Sequence, residues 1–218
     1  MSNYLSFAEK QIENNPEIIT AHYEQGYLFT RKSKGNVYQT RSLRIRLDEF
    51  EPSSENRRIL GKFPELKFEL NKLPLPANKY DWHIHKLGKY FYAKKFADHI
   101  FSAAKIRTLL TDESGSNFNL LLTYKLNTEA AGYVICYQNE QLLHYCYPFY
   151  EFEKFPPNLG MAMMLNAILW AKQQKLRYFY LGSVKDESDK YKLQFKGLEW
   201  FDGNKWSNDL NQLKLLLN

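Results

Sequence analysis

The sequence predicts an α/β protein with a mixed, mostly antiparallel sheet flanked by helices. Three apolar segments separated by short turn sequences are typical of consecutive strands. They lie at residues 118–125, 131–137 and 141–147. An apolar helix at 159–173 then leads into a short aromatic strand at 177–181. So little of that helix is polar that we expect it to pack on more than one side.

The first third of the chain alternates between helical, extended and turn patterns. We predict a helix at 4–14 ended by Pro16, a strand at 23–31 around Gly26, a hairpin turn at 33–36, a strand at 41–50, a short helix after Ser53 or Ser54, a strand at 66–70 and a Pro-rich connector at 73–78. In the strand at 41–50, Leu43, Ile45 and Leu47 alternate with polar residues. We therefore expect Arg44 and Arg46 to face the solvent.

The remaining elements follow from the same patterns. They are a helical segment at 81–110 in two pieces, a turn at 114–117, strands at 191–195 and 198–201, and a terminal helix at 210–217. No internal repeat is visible in the sequence.

The start of the helix at 159–173 is the first candidate for a working site. Pro156 and Pro157 end the preceding element, and Asn158 can cap the helix that contains Gly160. In α/β folds a glycine-containing turn into a helix presents backbone N–H groups to a ligand. Gly182, which closes the following strand, lies in the same region of the predicted fold.

Composition limits the classes of protein that the chain can represent. Its 218 residues suffice for one large domain, and 44% hydrophobic with 25% charged residues is typical of a globular protein. No apolar run approaches the roughly 20 residues of a membrane span, and the first residues do not resemble a signal peptide. The two cysteines, Cys136 and Cys146, are too few for a disulfide scaffold or a metal cluster. We expect a cytoplasmic protein without a membrane partner.

The net charge of +6 predicts an anionic partner, and its distribution favours RNA. One basic region contains Arg31, Lys32, Lys34, Arg41, Arg44 and Arg46, followed by Arg57, Arg58 and Lys62. A second region interleaves Lys86, Lys89, Lys94, Lys95, Lys105 and Arg107 with Tyr90, Phe91, Tyr92 and Phe96. Cations bind phosphates and aromatic rings can stack on exposed bases. An ordinary solvated face is the alternative for each region.

Two blocks of the sequence resemble the arginyl-tRNA–protein transferase family. The first runs from Arg44-Ile45-Arg46 to Phe50-Glu51-Pro52-Ser53-Ser54-Glu55-Asn56-Arg57-Arg58 and is similar to the family's basic strand and Phe-x-Pro-Ser motif, with Asn56 in place of Gln. The second contains Asn158-Leu159-Gly160, Tyr178-Phe179-Tyr180-Leu181-Gly182, Tyr191-Lys192 and Phe195. It resembles the family's Ser-Leu-Gly helix, Tyr-Tyr-Leu-Gly strand and Tyr-Lys-x-x-Phe end. The order of elements is similar to that of a GNAT acyltransferase core.

The chain departs from the family pattern at two places. The family's N-terminal cysteine cluster is replaced by residues 36–40, which contain no cysteine. We therefore expect no metal cluster. The Cys-Pro-Lys-Met stretch that precedes the family's Tyr-Lys is replaced by the acidic, lysine-containing loop at 184–190. Because this loop would contact the acceptor, we expect its change to affect which acceptor and which amino acid the protein prefers.

The resemblance implies an aminoacyl-tRNA-dependent transferase that moves an amino acid, arginine first of all, to the N-terminal α-amine of a protein. Its partners would be aminoacyl-tRNA and the acceptor N-terminus, and aminoacyl-tRNA would be a co-substrate with no further cofactor. The catalytic candidates are Tyr180, Tyr191 and Lys192. The substrate-binding candidates are Arg44, Arg46, Arg57, Arg58, Asn158, Gly160 and Gly182. No metal ligands are predicted, because the five histidines form no metal-ligand spacing and His83 and His85 are expected to be structural.

Two other functions are compatible with the sequence. An acyl-CoA-dependent GNAT acetyltransferase would bind pyrophosphate at the start of the helix, but Pro157 stands where such enzymes carry Arg or Gln. A noncatalytic tRNA- or RNA-binding module would keep the basic strand and lose transfer. For the transferase we expect an N-terminal basic subdomain at 1–76 and a GNAT-like domain at 77–218.

Overall fold

A computed structural model of the chain describes residues 7–217. Its strands are β1 (Ala8–Gln11), β2 (Tyr27–Phe29), β3 (Asn36–Gln39), β4 (Ser42–Arg46), β5 (Leu66–Lys72), β6 (Leu120–Leu126), β7 (Glu129–Gln138), β8 (Leu142–Tyr150), β9 (Tyr178–Ser183), β10 (Leu198–Phe201) and β11 (Trp206–Ser207). Its helices are α1 (Pro16–Glu24), α2 (Ser54–Gly61), α3 (Trp82–Lys95), α4 (Ala103–Thr111), α5 (Leu159–Gln173), α6 (Leu210–Leu216) and a 3₁₀ helix (Glu187–Gln194).

These elements confirm the predicted α/β class with a mixed, mostly antiparallel sheet and flanking helices. The predicted GNAT-like order of three strands, a helix and a further strand is present as β6, β7, β8, α5 and β9. β8 and β9, the strands on either side of α5 in the chain, pair in parallel, whereas the other strand pairs with an assigned register are antiparallel.

The chain forms two compact units, and the first contains residues 7–53, 139–144 and 170–217. Here β1, β3 and β2 form a small antiparallel sheet, and the order β11-β10-β4-β9-β8 forms a larger one. A bulge between Leu43 and Arg44 shifts the register of β4 against β9. The core of this unit includes the fully buried side chains of Tyr23, Ile45 and Phe179.

The second unit contains residues 54–138 and 145–169. Its strands follow the order β8-β7-β6-β5, and β6 pairs with β5 and β7 in antiparallel registers. The helix α5 is buried around its circumference, as the sequence predicts, since Ala162, Met163, Leu165 and Ile168 are all inaccessible to solvent. The buried Tyr124 hydroxyl donates a hydrogen bond to the Met163 carbonyl at 2.8 Å.

The N-terminal prediction is wrong in two respects. Residues 8–11 of the predicted helix form β1, because they pair with β3, while Tyr4, Leu5 and Ser6 lie outside the described residues. Pro16 begins α1 instead of ending a helix. The Asn15 side chain accepts hydrogen bonds from the N–H groups of Glu17 and Ile18, and proline at the first helical position has no N–H to leave unpaired.

Other boundaries are corrected as well. The strand predicted at 23–31 is reduced to β2, since Tyr23 belongs to α1, and the strand predicted at 41–50 ends at Arg46. The predicted hairpin turn is confirmed, because β2 and β3 are antiparallel neighbours. Residues 191–195 were expected to be a strand, but the 3₁₀ helix occupies them up to Gln194. The Asp186 side chain caps this helix by accepting from the Ser188 N–H, and such local bonds compete with strand formation.

The predicted division at residue 76 stays a prediction. The first compact unit combines segments from the beginning, middle and end of the chain. The strand β4 from the predicted N-terminal subdomain pairs there with both β9 and β10.

Candidate functional site

The parallel pair of β8 and β9 brings a histidine and a tyrosine together inside the first unit. Leu142, Leu143 and His144 pair with Tyr178, Phe179 and Tyr180 in order. His144 and Tyr180 are both buried, and their rings lie 6.4 Å apart. The residues Tyr23, Arg44, His144, Tyr180 and Lys192 form a group of polar side chains around this pair, and we call it the β9 cluster.

His144 is a member of the cluster that sequence reasoning missed. Its Nδ1 lies 2.8 Å from the Tyr23 hydroxyl, which also accepts a hydrogen bond from the Phe29 N–H at 3.3 Å. Burial lowers the pKa of His144 to about 3, and the positive charge of Lys192 acts in the same direction. His144 is therefore neutral at pH 7. The feature of the sequence that could have identified His144 is its position within the otherwise apolar segment of β8.

Tyr180, a predicted catalytic residue, lies at the centre of the cluster. Its ring packs edge-on against Tyr23 at 5.0 Å and against Trp206 at 5.9 Å. Among residues 7–217 its buried hydroxyl has no hydrogen-bond partner. Burial raises the pKa of Tyr180, and the nearby Arg44 charge offsets part of that rise. The hydroxyl is therefore protonated at neutral pH.

Arg44 was predicted to face the solvent, and the structure contradicts this. Its guanidinium carbon lies 4.0 Å from the centre of the Tyr178 ring and 3.9 Å from that of Trp206. Its Nε donates to the Glu199 carboxylate at 2.7 Å. The alternation of β4 correctly identifies its buried face, but the opposite face is covered by these two rings. Arg44 therefore stabilises the sheet and is not available to a large ligand.

Lys192 and Tyr191 follow β9 in the 3₁₀ helix. Lys192 Nζ donates to the Ser183 carbonyl at 2.8 Å and pairs with Asp189 at 2.6 Å, and only 12% of its side chain is exposed. Its charge is thus compensated by a neighbour. Tyr191, with 48% exposure, is open to a partner molecule.

Gly182 adopts a left-handed backbone conformation with φ of +81° at the bulge opposite Leu43. A side chain there would be strained, although a Cβ would meet no atom within 4 Å. The backbone at Gly182, two residues after Tyr180, therefore borders open space.

The remaining predicted site residues lie in the second unit, apart from Arg46. Asn158 precedes α5 with φ of +78°, and its carbonyl accepts from the Ala162 N–H at 2.9 Å. The Tyr150 ring covers Gly160, since a Cβ on Gly160 would lie 2.6 Å from the Tyr150 Cε1 and Oη atoms. Arg57 and Arg58 are exposed on α2, and Arg58 pairs with Glu55.

Arg46 lines a cleft of about 650 Å³ in the first unit. The charged residues of the cleft are Arg46, Lys172, Lys175, Arg177, Asp48 and Glu199. Several of its cations have acidic partners: Arg46 pairs with Asp48 at 3.1 Å and Lys172 pairs with Glu51 at 2.8 Å. The cleft is therefore less positive than its arginines and lysines alone would make it.

The structure thus brings Arg44, Tyr180, Gly182 and Lys192 to one region of the first unit. The β9 cluster offers a neutral histidine, the protonated hydroxyl of Tyr180 and compensated cations. Burial raises the thiol pKa of both cysteines, Cys136 and Cys146, so neither is a ready nucleophile. This chemistry suits the positioning of reactants that are already activated.

Two further observations concern the described part of the chain. No group of three or more His, Cys, Asp or Glu side chains among residues 7–217 could hold a metal ion. In the same range, none of the helices has the length and apolar character needed to cross a membrane.

A protein-family model described as "Arginine-tRNA-protein transferase, C terminus" matches residues 78–202. The match extends from just before α3 to the residue after β10 and includes Tyr180, Gly182, Tyr191 and Lys192. No curated protein matches the chain.

Among solved structures, L-PGS from Bacillus licheniformis is similar with 15% identity, a TM-score of 0.49, and coverage of 93% of this chain and 71% of that one. The ribosomal-protein-alanine N-acetyltransferase from Brucella melitensis biovar Abortus has 12% identity, a TM-score of 0.38, and coverage of 59% and 86%. At these TM-scores the two likenesses carry no functional information.

Proposed function

The chain belongs to the arginine-tRNA-protein transferase family, and from this we propose that it moves an amino acid, expected to be arginine, from tRNA to the N-terminal α-amine of an acceptor protein. The observation that carries the proposal is the family match over residues 78–202, which includes the elements around β9. We expect the reaction to take place in the cytoplasm, where charged tRNA is available, with aminoacyl-tRNA as co-substrate and no other cofactor.

The reaction requires little acid–base chemistry from the protein. The neutral α-amine attacks the ester carbonyl of aminoacyl-tRNA, a C–N bond forms and the C–O bond to the ribose breaks. The amine loses a proton and the ribose oxygen gains one, so atoms and charge balance. Because the ester is already activated, positioning and shelter of the oxyanion are the main demands on the site. The composition of the β9 cluster supports this type of chemistry.

The predicted catalytic residues would then have different tasks. Tyr191 is exposed and can touch a substrate, whereas Tyr180 is buried and Lys192 is bonded to Ser183 and Asp189. We propose that Tyr191 contacts the substrate, and that Lys192 holds the Ser183 carbonyl beside the open backbone of Gly182. Tyr180 would support the cluster from the interior.

Arg57 and Arg58 are the proposed cations for an anionic substrate group. Both are exposed on α2, and the Arg58–Glu55 pair is half exposed on both sides. Such surface pairs contribute about 0–1 kcal/mol, so a phosphate or an acidic acceptor side chain can replace Glu55 at little cost. Lys192 is a weaker candidate for this task because Asp189 already compensates its charge.

An acyl-CoA-dependent acetyltransferase is disfavoured by the beginning of α5. Pyrophosphate would need open backbone N–H groups there. Pro157 has no N–H, and the Tyr150 ring lies against Gly160 in the first helical turn.

Transfer of radiolabelled arginine, and separately leucine, from charged tRNA to peptides that begin with Asp, Glu, Lys or Arg tests the proposal. Parallel reactions contain labelled acetyl-CoA. We expect label to enter a peptide from tRNA and to decrease at least tenfold in the double variant Arg57→Ala, Arg58→Ala. The control variant Lys67→Ala removes another exposed cation of the second unit and should leave transfer unchanged.

Label that arrives only from acetyl-CoA would contradict the proposal in favour of an acetyltransferase. Absence of transfer with tRNA still bound would contradict it in favour of the noncatalytic RNA-binding module.

A further inference from the structure

The solvent side of α3 in the second unit carries cations and aromatic rings without acids. Between Trp82 and Lys95 the helix has four lysines and no Asp or Glu; the acid Asp81 stands before it as the cap. Besides His83, which pairs with Asp81, the exposed residues of this side are Trp82, Lys86, Lys89, Tyr90, Lys94 and, at the end of the helix, Phe96. We call these six residues the α3 face.

Helical geometry places the α3 face on one side of the helix. At 100° per residue its members occupy somewhat less than half of the circumference, and at 1.5 Å per residue they extend over about 21 Å. The opposite side of α3 is buried through Ile84, Gly88, Phe91 and Tyr92. The rings and lysines of the α3 face thus form a continuous exposed strip.

The lysines of this strip have no acidic partner in the described part of the chain, in contrast to three other lysines of the same unit. Among residues 7–217, Lys86, Lys89 and Lys94 form no ion pair with a carboxylate, whereas Lys67, Lys125 and Lys154 of the same unit pair with Glu65, Glu69 and Glu129. The nearby acid Glu153 accepts a hydrogen bond from the Tyr90 hydroxyl at 2.8 Å. The positive charge of the α3 face is therefore available to a ligand.

The aromatic rings of the strip are exposed to solvent. Trp82 is 51%, Tyr90 40% and Phe96 67% accessible. The Lys86 ammonium lies 5.1 Å from the centre of the Trp82 ring, and that of Lys94 lies 5.7 Å from the centre of Tyr90. Attraction to the helix dipole accounts for a lysine in the last turn, such as Lys94, but not for Lys86, Lys89 or the rings.

We propose that the α3 face binds a single RNA strand, with its lysines on the phosphates and its rings on unpaired bases. Flat apolar rings alternating with cations match a strand that presents both phosphates and bases. The inference rests on the proposed function, because the bound strand would be the unpaired end of the donor tRNA.

An anionic membrane surface fits the α3 face less well. A helix that lies on a membrane inserts a continuous apolar face and keeps its cations on the other side. In α3 the apolar face is already buried in the protein core, and the exposed rings stand between the lysines.

Binding of labelled RNA to the full chain tests the proposal, with fluorescence anisotropy as the readout. The probes are a 12-nucleotide single strand, the same sequence as a duplex, and uncharged tRNA. The triple variant Lys86→Ala, Lys89→Ala, Lys94→Ala is compared with the triple variant Lys67→Ala, Lys125→Ala, Lys154→Ala. The two variants lose the same charge from the same unit.

We expect the α3 triple variant to bind the single strand and tRNA at least tenfold more weakly, and the control triple variant to change affinity less than threefold. The magnitude of the negative slope of log K against log salt should decrease by about 0.7 for each phosphate that a lysine no longer neutralises. Trp82→Ala and Phe96→Ala should each weaken single-strand binding about tenfold without changing that slope, and should affect the duplex much less.

Equal losses in both triple variants would overturn the proposal, because net charge alone would then explain binding. Unchanged RNA affinity in the α3 variants would also overturn the proposal. If these variants keep their RNA affinity but no longer bind vesicles of anionic lipid, the α3 face binds a membrane surface. Transfer is assayed separately. If the wild-type chain binds RNA through α3 but transfers no amino acid, the proposed function is refuted and the inference about α3 remains. If the wild-type chain transfers an amino acid and the α3 variants bind RNA normally, the inference about α3 is refuted and the proposed function remains.

Discussion

The guanidinium group of Arg44 joins side chains from three neighbouring strands. It lies between the rings of Tyr178 on β9 and Trp206 on β11, and it donates to Glu199 on β10. Removal of one member of a buried ion pair leaves the other charge without compensation. Arg44 therefore contributes to the stability of the first unit.

Arg44→Ala should lower the free energy of unfolding by about 3 kcal/mol, because Glu199 loses its partner and the two rings lose the group between them. Arg44→Lys should recover part of this loss, since lysine keeps the charge but not the planar stack. Urea unfolding followed by circular dichroism measures both. Arg46→Ala, on the same strand with a 41% exposed side chain, is the control and should cost less than about 1 kcal/mol. A similar cost for both arginines would disprove the buried role of Arg44.

His144 should make stability depend on pH. Its pKa is lowered by burial from 6.5 to about 3. Between these values the unfolded chain binds a proton that the folded chain does not, so stability decreases as the pH falls from about 6.5 towards 3. From pH 7 to 5 the loss attributable to this residue is about 2 kcal/mol.

The measurement is the difference in unfolding free energy between pH 7 and 5 for the wild type and for His144→Gln. The variant should lose about 2 kcal/mol less over this range. The control is His83→Gln, which removes an exposed imidazole on α3. An unchanged pH dependence in His144→Gln would show that the histidine is not buried in neutral form.

At the scale of elements, the beginning of α5 depends on a glycine for packing. A Cβ on Gly160 would lie 2.6 Å from the Tyr150 ring, and one on Gly61 of α2 would meet nothing within 4 Å. Helix propensity favours alanine over glycine by about 1 kcal/mol at either place. Alanine substitutions at the two positions therefore distinguish the effect of packing on stability from the effect of helix propensity.

Gly160→Ala should destabilise the chain by about 1–3 kcal/mol, since the ring must move or the helix must shift. Gly61→Ala, the control, should be neutral or stabilise by up to about 1 kcal/mol. Thermal or urea unfolding compares them, and the double variant Gly160→Ala, Tyr150→Ala tests the cause. If Gly160→Ala were stabilising, the ring would not limit the approach to this turn.

Elements with strong local signals were predictable, and those that depend on distant partners were not. The spacing of apolar residues in α5 and the turn before β3 identify these elements directly. By contrast, β1 was predicted as helix because its four residues become a strand only through pairing with β3. Pro16 was misread because proline is compatible with the first turn of a helix as well as with its end.

At the scale of the whole molecule, the first unit is assembled from three separated segments of the chain. Its sheet places β4, from the first quarter of the sequence, between β9 and β10 from the last quarter. The predicted domain at 77–218 contains β9 and β10 but lacks β4 and with it Arg44. Without β4, both strands would expose backbone groups along one edge.

A chain of residues 77–218 alone should therefore fail to fold cooperatively, and co-expression with residues 1–76 should restore a soluble complex. Circular dichroism at 222 nm during urea titration and size-exclusion chromatography would detect both outcomes. The intact chain, in which residues 1–76 remain covalently attached, is the control. Cooperative unfolding of the isolated 77–218 chain would contradict this expectation and support the predicted domain division.

The sequence by itself determined the α/β class, the element order from β6 to β9 and the family resemblance, because these follow from local periodicity and from motifs that are contiguous in the chain. Only the tertiary structure decided which polar residues are available. It buried Arg44 between two rings, compensated Lys192 with Asp189, and brought His144 beside Tyr180, while among residues 7–217 it left the lysines of the α3 face without acidic partners. Alternation along a strand tells which side chains share a face, but not what covers that face, since the covering residues come from distant parts of the chain.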